Sequence, residues 1–326
     1  MSRTLRNVLV VLAVAVAASP AVADDVVRIG NLKFVQYGAV SYMKELGPKY
    51  GLQVKETFYE KGIDVMAQMK AGQLDLGAGA TDAAIAGYAA GTPLYIVAGL
   101  GRGGSMLVAR KGVPISKIED LKGKRVAVLN GSAQELMVYA ELVQHKMTWS
   151  VEPGQDVLIV QTKGSADANK LLQEGAVDAA CESDPYASQS ISAGFAREVM
   201  KPYDTPLGEP VRALVMAKAM YENRDLALRV LRCFVEATRL FQAKPDLAEK
   251  YIRERVFGGK LTHRDYADSL ANGPLTTDIT LPYVQNTAYF MVKYGAGRLP
   301  SHPVAATFVR LDVLEQAKRD VGAVKP

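Results

Sequence analysis

The sequence predicts an α/β fold in which mostly parallel sheets are flanked by helices. Three observations support this prediction. From Asp24 to about residue 217, short apolar strand patterns alternate with helix patterns, an order typical of βαβ units. The turns between them carry helix caps and glycines where helices begin and end. After residue 217 only helix patterns follow, so we expect a helical tail that packs back on one of the α/β units.

The first series of elements runs from residue 24 to residue 100. Its strands are rich in Val, Ile and Leu, and a capping side chain such as Asp64 precedes a helix. The strands are predicted at Val26–Leu32, Leu52–Tyr59, Leu74–Ala78 and Pro93–Leu100, and the helices at Ala39–Gly47, Val65–Ala71 and Ala83–Ala90. Thr81 and Asp82 are expected to cap the last of these helices.

The second series continues to residue 217, and the helical tail follows. Three prolines in residues 202–210 break regular structure before the last strand. Strands are predicted at Met106–Ala109, Val126–Leu129, Val157–Thr162, Val177–Cys181, Glu198–Met200 and Val211–Ala217, with helices at about 133–145 and at Ser165–Glu174. In the tail, Asn223 is expected to cap a long amphipathic helix. Further helices are predicted at Pro245–Val256, Arg264–Ala271, Pro282–Tyr294 and Asp312–Arg319.

The stretch Leu121–Glu135 joins a strand to a helix in a way that suits ligand binding. Val126–Leu129 has the character of a buried strand, and Ser132 opens a helix with Glu135 three residues later. This spacing predicts a capping box. A helix start also leaves backbone N–H groups for a ligand, and its dipole favours negative charge. An ordinary capped turn has the same pattern, so both interpretations stay open.

The first 23 residues have the pattern of a cleavable signal peptide. Arg3 and Arg6 give a positive start. Val8–Ala18 is apolar, and residues 21–23 (Ala-Val-Ala) resemble a cleavage site. The apolar part is too short to span a bilayer, and no later stretch is long and apolar enough. We therefore expect an exported, soluble protein in the periplasm that begins at Asp24.

Composition argues against several classes of function. The formal net charge of +5 comes without a basic cluster interleaved with aromatics, so we expect no nucleic-acid partner. His145, His263 and His302 lie far apart, without the spacing of metal ligands. Cys181 and Cys233 do not form a disulfide framework, and we expect both to be reduced. We therefore expect no metal and no cofactor.

Four motifs in a fixed order carry a resemblance to a known family. They are RIGN after the signal peptide, MKAGQLDLGAGATDAAIAGYAAGTPLYIVA at Met69–Ala98, IEDLKGKRVAVLNGS at Ile118–Ser132 and LLQEGAVDAACESDPYAS at Leu171–Ser188. Each motif is weak alone, but their order and spacing are specific. The chain resembles the periplasmic solute-binding proteins of ABC importers, in the nitrate, sulfonate, taurine and thiamine-precursor group.

The resemblance implies a bilobal, Venus-flytrap fold of the type II periplasmic binding proteins. Lobe I is expected at residues 24–106 and 211–326, with the helical tail packed on it, and lobe II at residues 107–210. A small-molecule solute is expected in the cleft, at the carboxyl ends of the strands. Closure of the lobes on the solute would be recognised by an ABC permease in the inner membrane. We expect a monomer.

The family motifs and the local patterns together predict which residues bind the ligand in the cleft. The Gly-Ser helix start would supply backbone N–H groups and the Ser132 hydroxyl, whose proton is free to donate even in a capping box. Arg102 would pair with an anionic group, or would simply lie in a flexible hinge loop. The full set is Gln36, Tyr37, Thr81, Asp82, Arg102, Ser105, Gly131, Ser132, Ala133, Gln134, Glu182, Asp184 and Tyr186.

One segment departs from the family pattern. Where the family has Trp-Glu-Pro, this chain has Ser-Asp-Pro at residues 183–185, preceded by Glu182. Carboxylates in the cleft would disfavour nitrate or a small sulfonate and would favour a heterocycle or a ligand with a cationic end. Alternatively, Asp184 only caps the helix that follows. The sequence leaves the charge of the ligand open.

Three functions fit these observations. The first is a binding protein that delivers a small organic solute to an ABC importer. The second is an enzyme on the same fold in cofactor-precursor metabolism, against which stands the lack of a Ser/His or Cys/His constellation. The third is an exported sensor or scaffold. We expect a binding protein without catalytic activity.

Overall fold

The computed structural model describes residues 24–322, so the predicted signal peptide at residues 1–23 lies outside the described residues. In this part of the chain two sheets follow one another, each flanked by helices. The first sheet with its helices is called the first unit here, and the second sheet with its helices is called the second unit. The predicted α/β fold class with two mixed sheets is confirmed.

The first unit begins with strands and helices that alternate as predicted. Its elements are β1 (Asp25–Leu32), α1 (Gly38–Leu46), β2 (Leu52–Tyr59), α2 (Gly62–Lys70), β3 (Leu76–Ala80), α3 (Thr81–Ala89) and β4 (Leu94–Arg102). β1 lies between β2 and β3 and is parallel to both. β3 and most of β4 are buried continuously, because helices cover both faces of this sheet.

The second unit contains the next nine elements. They are β5 (Ser105–Arg110), β6 (Lys124–Leu129), α4 (Ala133–Gln144), β7 (Trp149–Ser150), β8 (Val157–Thr162), α5 (Ser165–Glu174), β9 (Ala179–Ser183), α6 (Tyr186–Ser192) and β10 (Ala196–Met200). Within the described residues the sheet has six strands in the order β10-β5-β9-β6-β8-β7. β5 runs antiparallel to β9 and β10, and the other pairs are parallel.

The chain then returns to the first unit and ends in helices. The elements are β11 (Val211–Ala217), α7 (Lys218–Glu222), α8 (Arg224–Ala243), α9 (Pro245–Tyr251), α10 (His263–Asn272), α11 (Leu281–Tyr294) and α12 (Asp312–Val321). β11 inserts antiparallel between β3 and β4. α8 packs on α1 and α12, so the helical tail packs on the first unit as predicted. α11 touches both α3 and α4 and therefore bridges the units.

Two antiparallel strands determine which side chains reach the space between the sheets. β11 and β5 each follow a chain crossing and start at the edge where the parallel strands end. Arg212 therefore pairs with Ala80 at the end of β3, and Ser105 pairs with Ser183 at the end of β9. The carboxyl edge of an open α/β sheet is where ligands bind in such folds.

The strands change sheet between Arg102 and Ser105 and again between Met200 and Val211. The first crossing contains Gly103 and Gly104, both with positive φ. The predicted lobe bounds, at residues 106/107 and 210/211, stay a prediction.

Helix starts differ from the predicted caps at Asp64 and Thr81, and Asp64 lies inside the first turn of α2 rather than before it. Asn223 caps α8 as predicted, accepting a bond from the Leu226 N–H at 3.3 Å. Thr81, however, is the first residue of α3 rather than its cap, and its hydroxyl donates to the Val211 carbonyl at 2.7 Å. Asp312 likewise begins α12 after Leu311 and bonds Tyr221 and Arg224 instead. At Thr81 and Asp312 a tertiary partner takes the polar side chain away from the helix end.

Cys181 and Cys233 are both buried and free. Among the described helices, none combines the length and the hydropathy that crossing a bilayer requires.

Candidate functional site

A small cavity lies between the two units at the carboxyl edge of both sheets. Its volume is ≈ 30 Å³, enough for about two water molecules. The lining residues are Leu32, Phe34, Tyr37, Glu60, Lys61, Gly62, Ala80, Ala83 and Arg212 from the first unit and Leu129, Asn130, Gly131, Ser132, Gln134 and Ser183 from the second. The cavity is therefore built by both units, and whatever fills it contacts both.

Arg212 is the buried cation of this cavity. Its residue is only 3% exposed, and its Nη2 donates to the Gly103 carbonyl at 3.3 Å, to the Ser105 hydroxyl at 2.8 Å and to the Ser183 hydroxyl at 3.1 Å. Within residues 24–322 no carboxylate forms an ion pair with it, and no acceptor bonds its Nε or Nη1. A buried charge normally has a charged partner. Nε and Nη1 are therefore each available to donate a charge-assisted hydrogen bond to a bound acid.

A network of neutral side chains holds Arg212 across the two units. The Gln134 amide donates to Ser183 and, at 3.4 Å, to Ser105. The two serine hydroxyls lie 3.5 Å apart. Arg212 is on β11 of the first unit, whereas Ser105, Ser183 and Gln134 belong to the second. Its guanidinium position therefore depends on the two units being together.

Two helix starts point at the same cavity. Ala83 in the first turn of α3 and Gln134 in the first turn of α4 both line it. The first N–H groups of a helix have no partner inside the helix, and the dipole makes that end favourable for an anion. The Arg212 guanidinium and the α4 start favour an anion here, whereas at the α3 start the Asp82 carboxylate accepts hydrogen bonds from the N–H groups of residues 82 and 83.

The predicted capping box at α4 forms with one change. Ser132 accepts a bond from the Glu135 N–H at 3.4 Å, but the Glu135 carboxylate accepts from the Gly131 N–H at 2.9 Å rather than from Ser132. The Ser132 hydroxyl itself donates to the Leu129 carbonyl at 2.5 Å. The expectation that its proton is free for a ligand is therefore wrong, and the Ala133 and Gln134 N–H groups are the available donors.

Asp82 and Tyr37 lie near Arg212 in the first unit. Asp82 is 4% exposed; burial raises its pKa to about 7, and the positive charge of Arg212 opposes that rise. Burial also raises the pKa of Tyr37 to about 12, so its hydroxyl stays protonated. Tyr37 lines the cavity directly. Asp82 acts on it through its charge.

Of the predicted residues, Tyr37, Gly131, Ser132 and Gln134 line the cavity, whereas Gln36 and Arg102 are among those that lie away from its wall. Gln36 is buried against the first crossing, and a Cβ added to Gly104 would lie 2.0 Å from its Nε2. Of the described polar atoms, this Nε2 is among those buried without a hydrogen-bond partner. The side chain of Arg102 is 60% exposed and lies 3.6 Å from the Glu209 carboxylate. Both lie beside the first crossing between the units.

The acidic segment turns its carboxylates away from the cavity. Asp184 is fully buried and accepts bonds from the N–H and hydroxyl of Ser188, at 3.1 and 2.6 Å, and from the Asn272 amide at 3.0 Å. It therefore caps α6, the second of the two alternatives. Glu182 is buried as well, and burial raises its pKa to about 8. Neither lines the cavity, whereas Tyr186 lies beside Phe34 in a neighbouring hollow.

Sequence reasoning missed Arg212, although a signal for it existed. The predicted strand at 211–217 reads VRALVMA, so a single arginine interrupts an otherwise apolar run. Burying a charged side chain in a strand costs free energy unless a partner or a ligand pairs with it. Phe34, Lys61 and Ser183 were also missed. The only signal for these three residues is that each lies at or just after the end of a β-strand. Because sequence alone locates a strand end only to within a few residues, it does not single them out.

No group of three or more His, Cys, Asp or Glu side chains suited to a metal ion occurs among residues 24–322. The cavity wall carries the cations Arg212 and Lys61, the carboxylate Glu60 and neutral donors.

Comparison with known families identifies the chain. The model of the NMT1-like family matches residues 24–253, which include both sheets and the whole cavity wall. The chain belongs to the NMT1-like family. A comparison with curated protein sequences found no match.

Solved structures resemble this NMT1-like family member over nearly all their length. The alkanesulfonate-binding protein SsuA from Xanthomonas axonopodis pv. citri, bound to MOPS, has 18% identity and a TM-score of 0.73, covering 89% of this chain and 100% of its own. The aliphatic sulphonate binding protein SsuA from Escherichia coli has 22% identity and a TM-score of 0.73, with 88% and 92% covered. The nitrate-binding protein NrtA from Synechocystis PCC 6803 has 16% identity and a TM-score of 0.70, with 91% and 89% covered. The predicted bilobal binding-protein fold is confirmed.

Proposed function

We propose that this NMT1-like family member is the solute-binding component of an ABC importer and captures a small organic solute that carries an acidic group. The observation that carries the proposal is the pair of unoccupied donors on buried Arg212, Nε and Nη1, in a cavity walled by both units. An acid held there gains charge-assisted hydrogen bonds in a setting shielded from water. The similar structures include binding proteins for sulfonates and for nitrate, which supports the same class of ligand.

The charge of the ligand follows from the side chains that line the cavity. Arg212 and Lys61 are cations, and Glu60 is the one carboxylate among the lining residues. Glu182 and Asp184 are buried elsewhere, which removes the reason for expecting a cationic solute. We infer a sulfonate, a carboxylate or a similar organic acid.

Binding is proposed to work by closure of two lobes. The present cavity of ≈ 30 Å³ is smaller than an organic acid, so the solute enters when the lobes, residues 24–106 with 211–326 and residues 107–210, are apart. The bound solute then favours the closed state, because only that state brings Arg212 and the α4 helix start to it together. A permease in the inner membrane would recognise that closed state.

The remaining parts of the proposal concern location and assembly. Removal of the signal peptide predicted at residues 1–23 would release the protein into the periplasm as a monomer, where it binds solute without converting it. The periplasmic binding proteins among the similar structures support this location.

A ligand screen tests the proposal. The mature protein is mixed with alkyl and aryl sulfonates, carboxylates, nitrate, neutral amides and amines, and its melting temperature is measured. Ligands that bind the native state raise it. We expect acids to raise it and amines to leave it unchanged. A shift by amines alone contradicts the acidic ligand, and chemical conversion of any bound compound, measured by mass spectrometry, favours the enzyme alternative.

A further inference from the structure

A much larger space adjoins the small cavity. Its volume is ≈ 540 Å³, against ≈ 30 Å³ for the cavity at Arg212. Lys61, Asn130 and Gly131 line both spaces, so the two spaces are neighbours on either side of these residues. We call the larger space the outer groove. A solute whose acid sits at Arg212 therefore has room in the outer groove for the rest of its body.

One wall of the outer groove is a rigid aromatic surface. The Trp149 and Tyr139 rings stack with centroids 4.8 Å apart and planes 24° from parallel. The Tyr139 hydroxyl donates to the Glu135 carboxylate at 3.0 Å, which fixes the ring. Trp149 is partly exposed and lies on the edge strand β7, so its indole is available to a planar ligand. Aromatic rings prefer such partners, in offset or edge contacts.

Two cations without protein partners face the same groove. Lys61 of the first unit and Arg298 of the segment after α11 both line it, and in residues 24–322 the side chain of neither forms a hydrogen bond or an ion pair. Arg298 has φ 51°, a left-handed conformation that a non-glycine residue adopts at an energy cost and that is enriched at functional sites.

Within the described residues the two acidic side chains of the outer groove, Glu135 and Asp64, form no ion pair with these cations. Both oxygens of Glu135 are engaged, by the Gly131 N–H, by the Tyr139 hydroxyl and by the Gln161 amide at 3.1 Å. Asp64 is exposed on the first turn of α2. The groove therefore offers an aromatic face and two free cations to its occupant.

We propose that the outer groove binds the far end of an elongated aromatic solute with two acidic groups. One acid binds Arg212, the ring lies against Trp149, and the second acid binds Lys61 and Arg298. This inference rests on the proposed function, because it assumes that an acid occupies the inner cavity. The walls come from the first unit, the second unit and the segment after α11, so such a solute also holds the units together.

Three probes of increasing size test the inference: methanesulfonate, benzenesulfonate and 3-sulfobenzoate. They add in turn an acid, a ring and a second acid. Isothermal titration calorimetry on the mature protein should give affinities that rise by about tenfold with the ring and by about tenfold again with the carboxylate, effects in the range of an aromatic contact and a charge-assisted bond. Trp149 is the single tryptophan, so fluorescence reports on the groove alone, and saturating benzenesulfonate should change it more than methanesulfonate does.

Two variants assign each gain to its residue. Trp149→Ala should remove the gain from the ring and leave methanesulfonate affinity unchanged. Arg298→Asn should remove most of the gain from the second acid, and asparagine tolerates the left-handed backbone there. The matched controls are Tyr289→Ala and Arg264→Gln, an exposed aromatic residue and an exposed arginine outside the groove; both should leave all three affinities unchanged.

The outcomes separate the two proposals. The outer-groove inference is overturned if all three probes bind with equal affinity. It is also overturned if Trp149→Ala and Arg298→Asn lower the affinity for all three probes equally. Either result still supports the acid site at Arg212. If no sulfonate and no carboxylate binds, the acid site fails and the inference fails with it.

Discussion

The two sides of the cavity contribute different chemistry. The first unit supplies the charges: Arg212 at the start of β11, Asp82 in α3 and Lys61 before α2. The second unit supplies neutral donors, chiefly Gln134 and the first N–H groups of α4, while its one nearby carboxylate, Glu135, is engaged at the helix start.

This difference indicates that the two units have different roles in ligand binding. The first unit selects the ligand by charge, because only it carries a cation with free donors. The second unit completes the hydrogen bonds and orients Arg212 through Ser105 and Ser183. Changes in the first unit should therefore alter which ligands bind, and changes in the second should alter how tightly the units close.

The largest expected effect is at Arg212. Arg212→Gln should weaken binding of an organic acid by about 100-fold, since it removes a charge and two free N–H donors. The control is Arg102→Gln, the exposed arginine on the neighbouring strand, for which we expect less than about a twofold change. Calorimetry measures both, and circular dichroism verifies that Arg212→Gln folds. Equal effects of the two substitutions would contradict the different roles described above.

The second-largest effect is expected at Gly104, in the first crossing between the units. Gly104 has φ 67°, and a Cβ there would lie 2.0 Å from the Gln36 amide nitrogen. Gly104→Ala should lower the free energy of unfolding by about 2 kcal/mol, from backbone strain and overpacking together. Gly72→Ala is the matched control, because Gly72 has φ 70° with nothing within 4 Å; its cost should be about 1 kcal/mol. Urea denaturation separates the clash from the backbone effect, and equal losses would mean that Gln36 moves aside freely.

A smaller effect is expected from pH. Burial raises the pKa of Asp82 to about 7, so the carboxyl is protonated below that pH and negative above it. Its negative charge lies near Arg212 and repels a bound acid. Affinity for an acid should therefore fall about fivefold as pH rises from 6 to 8, through the pKa of this one group. Asp82→Asn should remove the slope, and a slope that persists in this variant assigns the titration to another group.

The smallest effect is expected in the second unit, at Ser132. Its hydroxyl is engaged by the Glu135 N–H and the Leu129 carbonyl, so Ser132→Ala should cost about 1 kcal/mol of stability as a lost cap and change affinity by less than about twofold. Thr262→Ala at the start of α10, where the hydroxyl also caps, is the control for the stability loss. A large loss of affinity in Ser132→Ala alone would show that the hydroxyl turns to the ligand.

Much of the fold could be predicted from the sequence because its signals are local. β8, α5 and β11 have the predicted bounds to the residue, since an apolar β-branched run or a capped periodic run determines each of them. The C-terminal helices were predicted for the same reason. The order of strands in a sheet is not local, and the insertion of β11 into the first sheet followed only from the family resemblance.

The site was less predictable because side-chain partners decide it. Thr81 and Ser132 were predicted as donors to a ligand, but each donates to a carbonyl of the protein. Asp184 was left between two roles, and Asn272, far along the chain, determines the outcome with Ser188. Arg212 was overlooked because a strand pattern is judged by its apolar residues. In each case a contact distant in sequence decided the role.

The most direct test of the central claim compares an acid with its neutral counterpart. Calorimetry would measure the affinity of the mature protein for benzenesulfonate and for benzenesulfonamide, which have similar shape and differ in charge. If Arg212 selects the solute by its acid, the sulfonate should bind at least about 100-fold more tightly. Equal affinities for the two compounds would contradict the account.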